Sequence, residues 1–374
     1  MSVGVWQQLE NNKPIAVDYD VVVVGAGIVG AYTAWRLAER GQRVALVEAR
    51  FPAAGATGRN AGMLLMGQAE NYYRGVQNWG RAKAYARWRL TVENRLHTLE
   101  LIDKFGLESS LERCGSVVLG IDQSEARELE ASQQLLAEDG LVTTFADYDP
   151  FERGFTAALF QPEDCGFNPA QLVAAMVTAL GAQLGCQFYD NAEVFALKSE
   201  ADGRVRVEAR GMTVRASQVA LCTNAFSPLL DSFFEDKIFP TRGQMLLTTP
   251  LPFTVINTLA YANYGYEYFR QLADGSFLLG GCRAKFAEQE VGYDESPTAN
   301  VQGALDEFLL RHFPDVARAA TVVRRWAGIM GFTADSQPLV GSLPHLPQVF
   351  YACGFTGHGL AMGIVSAQKM LSLM

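Results

Sequence analysis

Three glycines and one carboxylate near the start of this 374-residue chain have the spacing that most directly prescribes chemistry. In the run Gly25-Ala26-Gly27-Ile28-Val29-Gly30, the first glycine suits a tight turn and the second lets a pyrophosphate approach the backbone. The third lets a helix pack closely on a strand. Phosphates held there meet helix N–H groups and the positive end of the helix dipole. Glu48 follows Gly30 by 18 residues, where a carboxylate can accept from both ribose hydroxyls of an adenosine half and repel a 2′-phosphate. Together these residues imply dinucleotide binding and leave the choice between flavin and nicotinamide open.

The elements that must position them are readable nearby. Asp20 to Val24 is a branched apolar run of the kind buried on both faces of a parallel sheet. Ile28 to Arg40 has helical spacing of Ala31, Ala34, Leu37 and Ala38, with Gly41 as a stop, and Arg43 to Glu48 is a second strand. Strand, glycine turn, helix and strand form a βαβ unit, and such units build doubly wound sheets. A second domain is expected to begin with a long helix over Asn78 to Phe105, a strand at Ser116 to Gly120 and a helix at Ser124 to Glu138. An apolar helix over Pro169 to Leu184 and short strands at 187–189, 193–197, 205–209, 214–215 and 219–222 suit a return to the first domain. From Arg242 to Gly281 the sequence is strand-rich. Alternation there predicts one strand carrying Tyr264, Tyr266, Tyr268 and Arg270 on one face. Val349 to Cys353, a glycine loop and Leu360 to Leu371 again read strand, loop and helix.

Composition narrows the function classes. Apolar residues make up 49% and charged residues 19%, which describes a packed globular protein. The net charge of -9, without a Lys/Arg cluster, argues against a nucleic-acid partner. The early apolar run is too short for a membrane span and lacks signal-peptide flanks, so a cytoplasmic location is expected. Neither the six scattered cysteines nor the four dispersed histidines have metal-ligand or disulfide spacing, and no metal is expected.

The sequence after Glu48 bears on the cofactor. Ala54 to Met66 (AGATGRNAGMLLM) supplies small residues and a short hydroxyl where a flavin needs close backbone approach. With Asp164-Cys165-Gly166-Phe167-Asn168-Pro169, Leu221 to Ala225, Pro240 to Gln244, Gly275 to Gly281, Trp326 to Gly331 and Gly354 to Gly359 in order, nearly the whole chain resembles the D-amino-acid oxidase-like flavoenzymes. That family includes glycine oxidase, sarcosine oxidase, D-amino-acid dehydrogenases and γ-glutamylputrescine oxidoreductase. The resemblance implies an α/β fold: a doubly wound, Rossmann-like FAD domain (1–80, 160–236 and 324–374) with an inserted α+β substrate domain (81–159 and 237–323). The inserted domain is expected on a mainly antiparallel sheet. FAD contacts are implied at Gly25, Gly27, Ile28, Val29, Gly30, Glu48, Ala49, Arg50, Thr57, Gly58, Arg59, Asn60, Ala61, Gly62, Met63, Leu64, Val194, Thr223, Asn224, Gly328, Gly354, Gly357, His358, Gly359 and Leu360. Gly357-His358-Gly359 would aim a helix N-terminus at the flavin, where it stabilises the negative charge of the reduced ring. His358 either donates a hydrogen bond there or simply packs in the loop.

The implied reaction is oxidation of a C–N bond in an amine or amino acid by hydride transfer to flavin N5, giving an imine that water hydrolyses. No general base is nominated. Flavin-dependent 2-hydroxy-acid oxidation, monooxygenation and a flavin-holding subunit of a larger complex are the alternatives. The substrate side departs from the family. Met330 stands where glycine oxidase-type members carry a carboxylate-binding arginine, and Ala361 where sarcosine oxidase-type members carry a lysine. Arg270, with Tyr266 and Tyr268, could replace them, or the substrate carboxylate lies far from the reacting carbon. The second is preferred, and the tyrosines read equally well as an aromatic stripe packing the sheet. Leu278 occupies the position of a flavin-side lysine in sarcosine oxidase-type members, so O2 and another electron acceptor both remain open. No cysteine in Trp326 to Gly331 offers covalent attachment, which implies noncovalent FAD.

Overall fold

The branched run Val21–Val24 forms the centre of the first sheet. The computed structural model describes residues 18–68 and 70–374. Strand Asp18–Val24 lies between Val44–Val47 and Met212–Leu221, parallel to both. The sheet runs in the order Leu339–Leu343, Leu346–Cys353, Met212–Leu221, Asp18–Val24, Val44–Val47, Gln187–Tyr189. Side chains of a strand alternate faces, so Val21 and Val23 pack with helices Ile28–Glu39, Pro169–Leu184 and Gly359–Leu371. Val22 and Val24 pack on the opposite side with the hairpin Val194–Ser199/Val205–Ala209. Burial on both faces explains why this strand is apolar at every position from Val21 onward.

Two expected elements differ. The short strands at 214–215 and 219–222 are one strand, Met212–Leu221. The long helix from Asn78 is instead two helices, Tyr72–Trp79 and Arg81–Lys104, separated at Gly80 with φ 79°. Positive φ suits glycine and interrupts α-helical geometry.

The second sheet has the order Val322–Phe332, Phe239–Pro250, Ser276–Gly281, Glu267–Gln271, Leu259–Ala262, Ser116–Gly120, Ala157–Gln161, Thr144–Ala146. Its pairings are antiparallel except that between Leu259–Ala262 and Ser116–Gly120. Helix Ala299–His312 covers one face, where its Phe308 and the following Phe313 pack with the strand residues Phe269 and Phe277. Tyr261, Tyr268 and Met245 belong to the other face, which fronts a large cavity. Val322–Phe332, which the expected boundary at 324 divides, is one continuous strand of this sheet. The fold is the expected mixed α/β architecture: a doubly wound sheet joined to a mainly antiparallel one. Among the described residues, no helix is long and apolar enough to cross a membrane.

Candidate active site

Open parallel sheets bind ligands beyond the C-terminal ends of their strands, and the cavity begins there, at Val24, Val47 and Cys222. Its volume is about 820 Å3, toward the upper end of ordinary small-molecule sites. Gly25 has φ 99°, and a Cβ on it would lie 2.8 Å from the Cys222 carbonyl oxygen. A Cβ on Gly27 would lie 3.1 Å from Thr57 Oγ1, and one on Gly30 would overlap the Gly25 carbonyl. Gly25 and Gly30 are therefore required against backbone atoms, and a side chain at position 27 would press on the Thr57 hydroxyl. The N-cap of helix Ile28–Glu39 is Gly27, which has no side chain to cap it, and beyond the Ile28 N–H, bonded to Thr57 Oγ1, the first turn is left to an anion. At the end of the neighbouring strand, the two carboxylate oxygens of Glu48 accept from the Ala26 N–H at 2.8 Å and the Arg50 N–H at 2.9 Å. Those bonds fix the carboxylate at the cavity wall with lone pairs remaining for hydroxyl donors.

The loop after Glu48 is tied down by its own side chains. Asn60 donates to the carbonyls of Ala56 and Thr57 and accepts from the Gly62 N–H at 2.7 Å. Thr57 Oγ1 accepts from the Ile28 N–H at 3.1 Å, joining the loop to the glycine turn. Arg59 reaches the carbonyls of Ala54 and Ala327 and pairs with Glu295 at 2.9 Å; Arg50 pairs with the same Glu295 at 2.6 Å. Trp326 Nε1 donates to the Arg59 carbonyl. The loop is thus pinned to the first βαβ unit on one side and to strand Val322–Phe332 on the other.

Arg270 is a correction to the sequence expectation. It is 2% exposed and does not line the cavity. Its guanidinium pairs with Glu112 at 2.5 Å and donates to the carbonyls of Gly62 at 3.0 Å and Ala61 at 3.2 Å. Gly166 makes room for it, since a Cβ there would meet the guanidinium at 2.5–2.7 Å. Arg270 therefore braces the back of the Ala61–Gly62 loop and has no free fork for a substrate. The predicted four-residue stripe is likewise shorter. Asn263, Tyr264 and Gly265 form a turn with φ of 51°, 56° and 79°, and the strand begins at Glu267. Tyr264 lies under the Arg74 guanidinium, 3.7 Å from its ring centroid, away from the cavity. Tyr266 comes from the turn and Tyr268 from the strand, and both line the cavity.

The third wall is the C-terminal loop. Gly357 has φ 81°, and helix Gly359–Leu371 starts without a side-chain cap, so a second helix N-terminus faces the same cavity. Asn224 Oδ1 accepts from the N–H groups of Gly354 and Phe355, at 3.1 and 3.4 Å, and holds this loop in place. His358 is half-buried at the cavity wall, and desolvation lowers its pKa from 6.5 to about 4. The imidazole is neutral at ordinary pH. Burial likewise pushes the Tyr268 hydroxyl up to about 12, so it stays protonated.

Of the expected cofactor contacts, Gly30, Gly58, Gly62, Leu64 and Gly354 stand behind the wall and shape it; the others line the cavity. Met330 lines it too, beside Gly243, where a Cβ would come within 2.9 Å of the Met330 methyl carbon. Sequence reasoning passed over Met245, Tyr261, Arg283, Tyr293, Glu295 and Phe332, which also line it.

The model of the family described as FAD dependent oxidoreductase (DAO) matches residues 20–373. The chain belongs to that family. The glycine oxidase of Pseudomonas aeruginosa is 26% identical over 95% of this chain and 94% of its own. The γ-glutamylputrescine oxidoreductase of Escherichia coli is 23% identical over 96% of this chain and 84% of its own. The solved structure of glycine oxidase from Bacillus cereus superposes with a TM-score of 0.78 at 20% identity, covering 95% of this chain and 94% of that one. As a DAO-family oxidoreductase the chain uses FAD, and the cavity fits it on three counts. Cβ atoms on Gly25 and Gly30 would run into backbone, Glu48 stands at the strand end, and two helix N-termini whose N-cap residues make no side-chain cap face one space.

Proposed function

We propose that this protein oxidises the C–N bond of an amine or amino acid, with hydride passing to FAD, to give an imine that water hydrolyses. Bound FAD supplies the hydride acceptor. Glu48 and the glycine turn would hold the adenosine half and the pyrophosphate. Thr57, Asn60, Ala61 and Met63, with the Gly357–Leu360 helix start, would hold the flavin half. Tyr261, Tyr266, Tyr268, Met330 and Phe332 supply an apolar, aromatic compartment that excludes water and orients the substrate.

The relatives carry the choice of an amine: a glycine oxidase and a γ-glutamylputrescine oxidoreductase match this chain over nearly its whole length. A neutral amine drives hydride loss with its own lone pair and needs no base, and His358, the only histidine lining the cavity among the described residues, is kept neutral by desolvation. Binding of FAD is read as noncovalent because Cys222, the only cavity-lining cysteine among the described residues, is a buried thiol with its pKa raised to about 12. The oxidant that recovers the flavin is O2 or another acceptor.

The test is an anaerobic screen in which glycine, sarcosine, D-amino acids, L-proline and polyamine derivatives are scored for loss of flavin absorbance. At least one amine is expected to bleach the flavin. A flavin that resists every amine and is bleached by a hydroxy acid refutes the reading.

A further inference from the structure

The basic residues that line the cavity are not equivalent. Arg50 and Arg59 both end on Glu295, and Arg210 pairs with Glu193. Arg283 also lines the cavity, and among the described residues no carboxylate pairs with it. Its guanidinium instead packs against two aromatic faces, 4.8 Å from the Phe332 ring centroid and 5.3 Å from that of Tyr266. Cation–π contact does not use the N–H donors of a guanidinium. Among the described residues none of the Arg283 guanidinium N–H groups has a hydrogen-bond acceptor, so they remain to meet a carboxylate in bidentate fashion.

The local chain explains the placement. Gly281 ends strand Ser276–Gly281 with φ 113°, and a Cβ on it would overlap the Tyr266 carbonyl. The backbone can therefore turn sharply there and deliver Arg283 two residues on, beside Tyr266. Gly280 packs directly against the Tyr268 ring, where a Cβ would lie 2.6 Å from its Cζ. Tyr266, Tyr268, Met330 and Phe332 thus form one apolar compartment with Arg283 at its edge, a cation that no carboxylate among the described residues neutralises. Arg283 is itself only half-buried; a ligand that covers it takes its charge out of water, and that charge then needs an anionic partner.

We infer that Arg283 anchors the carboxylate of the substrate, and so selects amines that carry one over amines that do not. This rests on the amine reading above and supplies the cation that neither Met330, Ala361 nor Arg270 provides. The aromatic walls hold the carbon skeleton while Arg283 fixes one end of it.

Benzoate and benzamide share a ring and differ in charge, so they make suitable probes for the full-length, FAD-loaded protein. Titration is followed by the shift in flavin absorbance. Benzoate is expected to give a saturable shift, and benzamide to need at least about tenfold more ligand. Arg283→Gln is expected to weaken benzoate at least about tenfold with flavin content retained, and Arg283→Lys to recover part of the loss. The inference is overturned if benzoate gives no shift, if the two probes bind alike, if Arg283→Gln binds benzoate like the wild type, or if that variant loses its FAD. Should Arg283→Gln not fold, the two-probe comparison on the wild type decides alone. The amine reading fails on a separate result, the absence of bleaching by any amine.

Discussion

Replacing Arg270 with methionine separates a brace from a substrate anchor. The substitution keeps an unbranched apolar stem and removes the guanidinium, leaving Glu112 and the carbonyls of Ala61 and Gly62 without their donor. Breaking a buried ion pair costs about 3–5 kcal/mol. Glu112 is 34% exposed, so water restores part of its solvation. Arg270 Nε has no acceptor in the folded protein, and removing it relieves one unmet donor. The net expectation is about 2–3 kcal/mol. At about 2 cal/mol/K of unfolding entropy per residue, a chain of 374 residues should melt about 3 °C lower. Because the lost bonds support the Ala61–Gly62 loop, FAD should also wash out faster during dilution. Thermal melting followed by flavin fluorescence measures both effects. Unchanged melting and FAD retention, with a raised half-saturation only for carboxylate-bearing substrates, would refute the bracing role and restore Arg270 as the anchor.

Other outcomes follow from the same geometry. Gly30→Ala places a methyl group into the Gly25 carbonyl and should yield protein without yellow colour, read as the flavin-to-protein absorbance ratio. Glu48→Gln removes the charge while keeping the shape, and should raise the FAD dissociation constant about tenfold or more in a fluorescence titration. His358 has a folded pKa of about 4, below its usual 6.5, so the unfolded chain binds the proton more readily between those values. Its contribution is fully present above pH 6.5 and lost as pH falls toward 4, on the order of 3 kcal/mol in all. The melting temperature of His358→Gln should fall less steeply than that of the wild type over that window, and parallel curves would contradict the assignment.

The parts of the site legible in the sequence are those set by local backbone geometry. Gly25, Gly27 and Gly30 each lie against atoms of one βαβ unit and its neighbouring loop and strand, and the branched strand before them is buried whichever way its side chains point. The Tyr264–Arg270 stripe misled because alternation assumes extended backbone. Asn263 and Tyr264 adopt positive φ without being glycine, and only Gly265 marks the turn. Arg270 misled for a different reason: its partners, Glu112 and the Ala61–Gly62 carbonyls, lie more than a hundred residues away in sequence. Arg283 was overlooked although Gly280-Gly281 precedes it, a signal that the chain turns sharply at a strand end. Its meaning depends on Phe332, which arrives from another strand. Local rules carry no information on such pairings.

The most direct test mixes the FAD-loaded protein, without oxygen, with one amino acid and with its 2-hydroxy analogue. Flavin absorbance and released carbonyl product are followed together. The account predicts that the flavin bleaches with the amino acid alone, with one carbonyl product formed per flavin reduced. Bleaching by the hydroxy acid and not by the amine would contradict it.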